Sequence, residues 1–179
     1  MIARENPDTI KKTATQPTTK LIPTVITPSL PGLVERQLAA LARDHPVVTR
    51  LMTIPAIGLL TATAMVASVV DISRFPSGRH FASHIGLTPR ERSSGSRRRL
   101  GSISKRGDTY LRMLLVHGAR SVLWASKRVD RPDRLRAWAL ERERTRGHNK
   151  AAVALANKLA RIAWAVWRED CPFASSQEV

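Results

Sequence analysis

Leu51-Met-Thr-Ile-Pro-Ala-Ile-Gly58, running straight into Leu59-Leu-Thr-Ala-Thr-Ala-Met-Val-Ala-Ser-Val-Val70, is the stretch on which the fold depends. It carries no charge, and its length lies at the lower edge of what crosses a bilayer as a helix. Pro55 and Gly58 break the run, and Thr53, Thr61 and Thr63 add hydroxyls to it. The segment is therefore expected to form a buried helical hairpin: a tight turn over residues 54–58, then an Ala-rich second helix from Leu59 to Val70. A helix-hairpin-helix of this kind aims backbone N–H groups and a helix N-terminus at phosphate, binding it without reading sequence. On spacing alone the plainer account, a helix connection that buries Ile54 and Ile57, is favoured.

Upstream, Val34, Leu38 and Leu41 recur at spacings of four and three, so residues 33–50 are expected as a connecting amphipathic helix that Pro46 ends or kinks. Residues 1–32, interrupted by Pro17, Pro23, Pro28 and Pro31, are expected as a flexible or extended lead-in without visible chemistry. The first sixteen residues lack the apolar run of a secretory signal, from which a cytoplasmic location is expected.

Downstream, Ser77 stands where it would cap a short helix carrying Phe81, Ala82 and Ile85, stopped by Gly86 and Pro89. Asp108 stands likewise before a helix whose Leu111, Leu114, Leu115, Ala119, Val122 and Leu123 form a wide apolar face. A charged helix is expected from about Arg131 to Arg146, anchored by Trp138 and stopped by Gly147. The last runs from about Asn149 to Arg168 on Leu155, Leu159, Ile162 and Val166. No segment alternates with a period of two. The fold class is mostly α: one helical domain over residues 51–170, with a helix-hairpin-helix, a basic Ser/Gly/Arg loop and a frayed tail over residues 171–179.

Lys and Arg number 30 against 14 Asp and Glu, a formal charge of +16 with a sequence pI near 11.6, which points to a polyanionic partner. With the charge-free stretch assigned to a buried hairpin, nucleic acid is preferred and a membrane is not expected. Between Arg90 and Arg106 seven basic residues (Arg90, Arg92, Arg97, Arg98, Arg99, Lys105 and Arg106) meet one acid, Glu91, amid serines and glycines. A serine hydroxyl attacks phosphorus only when positioned, deprotonated and relieved of the transition state's negative charge, and arginines supply the last of these. Composition alone favours a loop that merely grips the phosphate backbone.

Other chemistry is scarce. Cys171 is the only cysteine, which excludes an intramolecular disulfide and a Cys-cluster zinc site. His80 and His84 share a helix face, but neither they nor His117 and His148 have the spacing of a metal site. Asp71, Glu91 and Asp108 are the only acids between Leu51 and Ser126, too few for a two-metal nuclease centre.

Several pieces then follow one another in an order of their own: Thr53-Ile-Pro-Ala-Ile-Gly58, Phe81-Ala-Ser-His-Ile-Gly-Leu-Thr-Pro89, Ser93-Ser-Gly95, Leu100-Gly-Ser-Ile-Ser-Lys-Arg-Gly-Asp108, Tyr110-Leu-Arg112 and Leu115-Val-His-Gly-Ala119. Together they resemble the C-terminal domain of DEDD-type bacterial insertion-sequence transposases, the group that includes the pilin-gene invertases. Asn149-Lys-Ala-Ala-Val-Ala-Leu-Ala-Asn-Lys-Leu-Ala-Arg-Ile-Ala-Trp164 resembles that family's closing helix. The resemblance implies DNA transposition, in which an N-terminal RNase-H-like domain supplies four acidic ligands for Mg2+ and a serine of the C-terminal domain acts with it in strand exchange. It also implies DNA as partner, RNA guidance of target choice and a homo-oligomer.

Carried over by position, the resemblance makes Ser94 the nucleophile, with Ser93 the runner-up. It gives phosphate contacts to Ile57, Gly58, Arg92, Arg97, Arg98, Arg99, Lys105, Arg106 and Arg112. Two departures stand out. Fewer than fifty residues precede Arg50, so the metal ligands and the Mg2+ are expected outside this chain, which alone is expected to be catalytically inert. Ala56 stands where the family usually has the first glycine of its turn, and a positive φ there would cost alanine about 1 kcal/mol; Leu59 replaces a usual proline. A non-catalytic nucleic-acid-binding module derived from such a transposase is the alternative.

Overall fold

Helix α7 (His148–Arg168) is the post around which the rest of the chain is built. Its inward face carries Ala151, Ala152, Leu155, Ala156, Leu159, Ala160, Ala163 and Val166, all buried, and the five alanines let neighbouring helices approach closely. Against it pack α4 (Gly78–His84), α5 (Thr109–Ser126) and α6 (Arg134–Arg146), as well as α2 (Pro46–Leu51). Two further helices, α1 (Leu30–Arg43) and α3 (Leu59–Val69), pack on each other and on α2. In this computed structural model the described residues are 30–174, excepting Gly95 and Arg98. Most of the expected lead-in, residues 1–29, and the tail residues 175–179 lie outside them.

The mostly helical class holds, and the charge-free run is shared among the end of α2, a turn and α3, whose Leu51, Ile54, Ile57, Ala62, Met65 and Val69 are all buried. No helix among the described residues is long and apolar enough to cross a membrane. Of the two side-chain caps read from the sequence, Asp108 acts as one: its carboxylate accepts from the Leu111 N–H at 2.9 Å. Asp133, not read from the sequence, accepts from the Arg136 N–H at 2.8 Å and caps α6. Ser77 holds the cap position of α4, but its hydroxyl bonds His80 Nδ1 at 2.8 Å instead of a backbone amide.

Pro46 interrupts the helix expected over residues 33–50: α1 stops at Arg43 and Pro46 opens α2, where a proline at the first helical position gives up only an N–H that has no partner there. Three expectations need correcting. Trp138 is only partly buried; Leu135 and Ala139 face the core and anchor α6. The stretch expected as an irregular loop has two antiparallel strands, β1 (Pro89–Glu91) and β2 (Leu100–Ile103), paired Pro89 with Ile103 and Glu91 with Leu100 across a register shift. Nearly every residue of this ribbon is exposed, so no apolar alternation was available to betray it. Finally, the chain does not leave the domain at Asp170: Asp170 pairs with Arg50, and the Phe173 N–H donates to Thr53 Oγ1 at 2.8 Å.

One staple holds three helices at a single point. Glu143 accepts from Lys127 Nζ at 2.9 Å and from His148 Nδ1 at 2.7 Å, joining the ends of α5, α6 and α7. The Lys127 hydrogen bond, followed by that of His148, holds the Glu143 carboxyl below its ordinary range.

Candidate nucleic-acid interface

The β1–β2 hairpin projects from the helical body, and its base is pinned at four points. The Lys105 N–H donates to the Gly86 carbonyl at 3.1 Å and the Ser104 N–H to the Thr88 carbonyl at 2.8 Å. The Asn157 amide, from α7, reaches the Leu87 carbonyl at 3.0 Å. Arg112, from α5, donates through Nη1 to the Ile85 carbonyl at 2.8 Å and through Nη2 to Thr109 Oγ1 at 3.0 Å. Arg112, expected among the phosphate ligands, is thus a fastener between α5 and the end of α4. Gly86 and Gly107 make the close approach feasible: both have positive φ, and each lies against the backbone of the other's strand of chain.

Toward the tip, the Arg92 N–H donates to the Arg99 carbonyl at 2.9 Å, and Ser94 and Arg97 exchange two backbone hydrogen bonds at 3.3 and 3.2 Å. Arg92, Arg97, Arg99, Lys105 and Arg106 are all exposed. The Arg98 position falls outside the described residues. A ribbon closed by Ser94 and Arg97 therefore displays several cations within a short length of chain, a field suited to phosphates.

The two candidate serines differ in their surroundings. Ser93 Oγ donates to Glu91 Oε1 at 2.7 Å and accepts the Arg99 N–H at 3.2 Å, so its hydroxyl is part of the hairpin's own fabric. The Ser94 hydroxyl is exposed and has no hydrogen-bond partner among the described residues. The Glu91–Ser93 link is two residues apart in sequence and was missed; only knowledge of the turn geometry could have supplied it.

The α2–α3 turn forms a second edge, bordered by a cavity of about 460 Å³ that Gly118, Ser121 and Arg136 help to line. Ala56 has φ 76°, the strained conformation anticipated for it, and its carbonyl presses on α5 at Gly118, where an added Cβ would meet that oxygen at 2.5 Å. Ile57 is buried and its N–H is used by the Ile54 carbonyl at 3.1 Å, which removes it as a phosphate donor. Gly58, exposed and with open space around its Cα, precedes the uncapped first turn of α3 and keeps its place as a candidate. Ala56→Gly is expected to stabilise the domain by about 1 kcal/mol by relieving the positive φ, seen as a raised midpoint in urea denaturation.

Acid–base and metal chemistry is sparse. His84 stacks on Phe75, His80 is held by Ser77, and among the described residues no three His, Cys, Asp or Glu converge as metal ligands. Among the described residues no set of side chains fits the Mg2+ that the resemblance implies.

Residues 48–134 match the model of the "Transposase IS116/IS110/IS902 family". A probable family 20 transposase of Pseudomonas aeruginosa is 46% identical over 138 residues, 76% of this chain and 40% of the relative. The transposase for insertion sequence element IS1111A of Coxiella burnetii is 44% identical over 135 residues, covering 75% and 36%. A pilin gene-inverting protein of Moraxella bovis is 33% identical over 129 residues, covering 69% and 37%. The chain spans about two fifths of the length of these curated relatives.

Proposed function

Because the chain belongs to the IS116/IS110/IS902 transposase family, we infer that it is the part of an insertion-sequence recombinase that grips DNA and presents a serine to it. The observation that carries this is the tip of the β1–β2 hairpin, where the Ser94 hydroxyl is exposed and unengaged on a segment that also carries the exposed Arg92, Arg97 and Arg99, while Ser93 is tied to Glu91. In the proposed step Ser94 Oγ bonds to phosphorus as the bond to the leaving deoxyribose oxygen breaks. The serine proton passes to solvent or to a base of the partner domain, and the leaving oxygen takes one up. The arginines offset the charge gathering on the phosphoryl oxygens.

Gly58 and the first turn of α3, with the α2–α3 turn acting as a helix-hairpin-helix, add a sequence-independent phosphate contact. Strand exchange itself is assigned to this domain acting with an acidic, Mg2+-binding nuclease domain, in a homo-oligomer and with a guide RNA, in the cytoplasm. No carboxylate or imidazole bonds Ser94 among the described residues. That favours, as a second reading, a module that binds nucleic acid without chemistry.

Both readings require the hairpin to be the duplex contact. Replacing Arg92, Arg97 and Arg99 together with glutamine should weaken binding to duplexes of unrelated sequence alike. The salt slope should become shallower by roughly 2–3, about 0.9 per lost phosphate contact. An unchanged slope in filter-binding titrations would remove the hairpin from the interface.

A further inference from the structure

A second basic surface lies away from the hairpin tip. Helix α7, the start of α4 and the outer face of β1–β2 enclose a groove of about 1480 Å³, larger than the roughly 300–1,000 Å³ typical of small-molecule pockets. Arg79, Lys150, Lys158 and Arg161 project into it, and no Asp or Glu is among its lining residues. Its floor is apolar: Leu87, Ile103, Val153 and Ile162, with the indoles of Trp138 and Trp164. Lys158 Nζ lies over the Trp138 ring at 4.3 Å, and the Arg142 guanidinium is 5.6 Å from the same ring. Burial first, then the charges of Arg134, Arg161 and Arg142, depress the Lys158 pKa. Lys158 and Arg161, three residues apart on α7, thus repel each other within the groove, with no carboxylate among its lining residues to offset them.

We propose that this groove holds an unpaired stretch of DNA, its phosphates on Lys150, Lys158 and Arg161 and its bases against the apolar floor beside Trp138. Three features select this occupant. Every charged residue lining the groove is cationic, which calls for a polyanion. The aromatic and aliphatic floor has no use for the sugar–phosphate exterior of a duplex but suits exposed base faces. Pro89, Gly101, Ser102 and Ile103 of the hairpin form one wall, so the groove is continuous with the element that carries Ser94. A strand opened at the hairpin tip would pass into it. This proposal rests on the hairpin being a DNA contact, and its test separates the two.

The experiment measures binding of the full chain to a labelled single-stranded oligodeoxynucleotide and to the duplex of the same sequence. Lys158→Gln with Arg161→Gln should weaken single-strand binding about tenfold and make its salt slope shallower by about 1.4, roughly 0.7 per phosphate. Duplex binding should move less than twofold, while the hairpin glutamine variant loses the duplex. Lys150→Gln, at an exposed position, gives a smaller loss of the same kind if the double variant folds poorly. Single-strand binding should also quench tryptophan fluorescence, with the quench falling by half or more in Trp138→Phe. Equal losses for single strand and duplex would overturn the groove and leave the hairpin standing. So would single-strand binding left intact while sedimentation shows the variant dissociating into monomers, which would make the groove an interface between copies. Intact duplex binding in the hairpin variant would instead overturn the hairpin reading.

Discussion

Gly107→Ala is expected to lower the melting temperature of the domain by roughly 10 °C, the largest effect of an alanine at any described glycine, with Gly86 close behind. Gly107 has φ 95°, and a Cβ there would fall far inside contact distance of the His84 carbonyl oxygen, while Gly86, at φ 79°, meets the Arg106 backbone in the same way. Positive φ and backbone overlap each cost on the order of 1–3 kcal/mol. Together they correspond to about 10 °C for a domain of this size. Two other glycines separate the contributions. Gly147 also has positive φ but open space, so its alanine variant should lose only about 1 kcal/mol; Gly58 has neither problem and should tolerate alanine with little change. Melting by far-UV circular dichroism checks the series, and a Gly107 variant no worse than the Gly147 one would mean that the base of the hairpin is not locked as described. Under the proposed function, the lock sets how the hairpin that carries Ser94 leaves the helical body.

The second large effect concerns chemistry. In strand transfer on end-labelled element DNA, with a nuclease domain supplied from a full-length relative, Ser94→Ala should lower product formation by at least about a thousandfold. DNA affinity should change less than twofold. Ser93→Ala removes the hydroxyl that joins Glu91 to the Arg99 N–H. It should slow the reaction about tenfold by loosening the tip, without abolishing it. The reverse ranking would transfer the nucleophile's role to Ser93, whose bond to Glu91 would then be that of a general base.

Helices announced themselves through apolar spacing, and their positions in the sequence are nearly those in the fold. Asp108 and Gly147 act where a cap and a stop were expected, and Asp133, unread beforehand, starts α6 three residues later than expected, behind Pro132. What escaped was whatever apolar periodicity does not encode. The β1–β2 ribbon is exposed on both faces, so it resembled a loop. Arg112 could not be told from the exposed arginines of the hairpin, because its partner, the Ile85 carbonyl, is 27 residues away in sequence. Trp138 looked like a core anchor by size, yet its ring borders a groove whose other walls come from α4, α7 and the hairpin. The cationic side of α7 was hidden beneath its stronger signal, the stripe of Leu155, Leu159 and Val166. Ser94 itself was legible only through resemblance; spacing and composition left a serine-rich basic loop.

The proposed role of Ser94 requires that DNA become joined to its hydroxyl. A nicked element end that cannot religate should trap the covalent species in the reconstituted reaction, and mass spectrometry of the digested adduct locates the modified side chain. The expected result is a nucleotide on Ser94. Nucleotide on Ser93 or elsewhere, or strand transfer proceeding with no protein-bound DNA at any time, would contradict it.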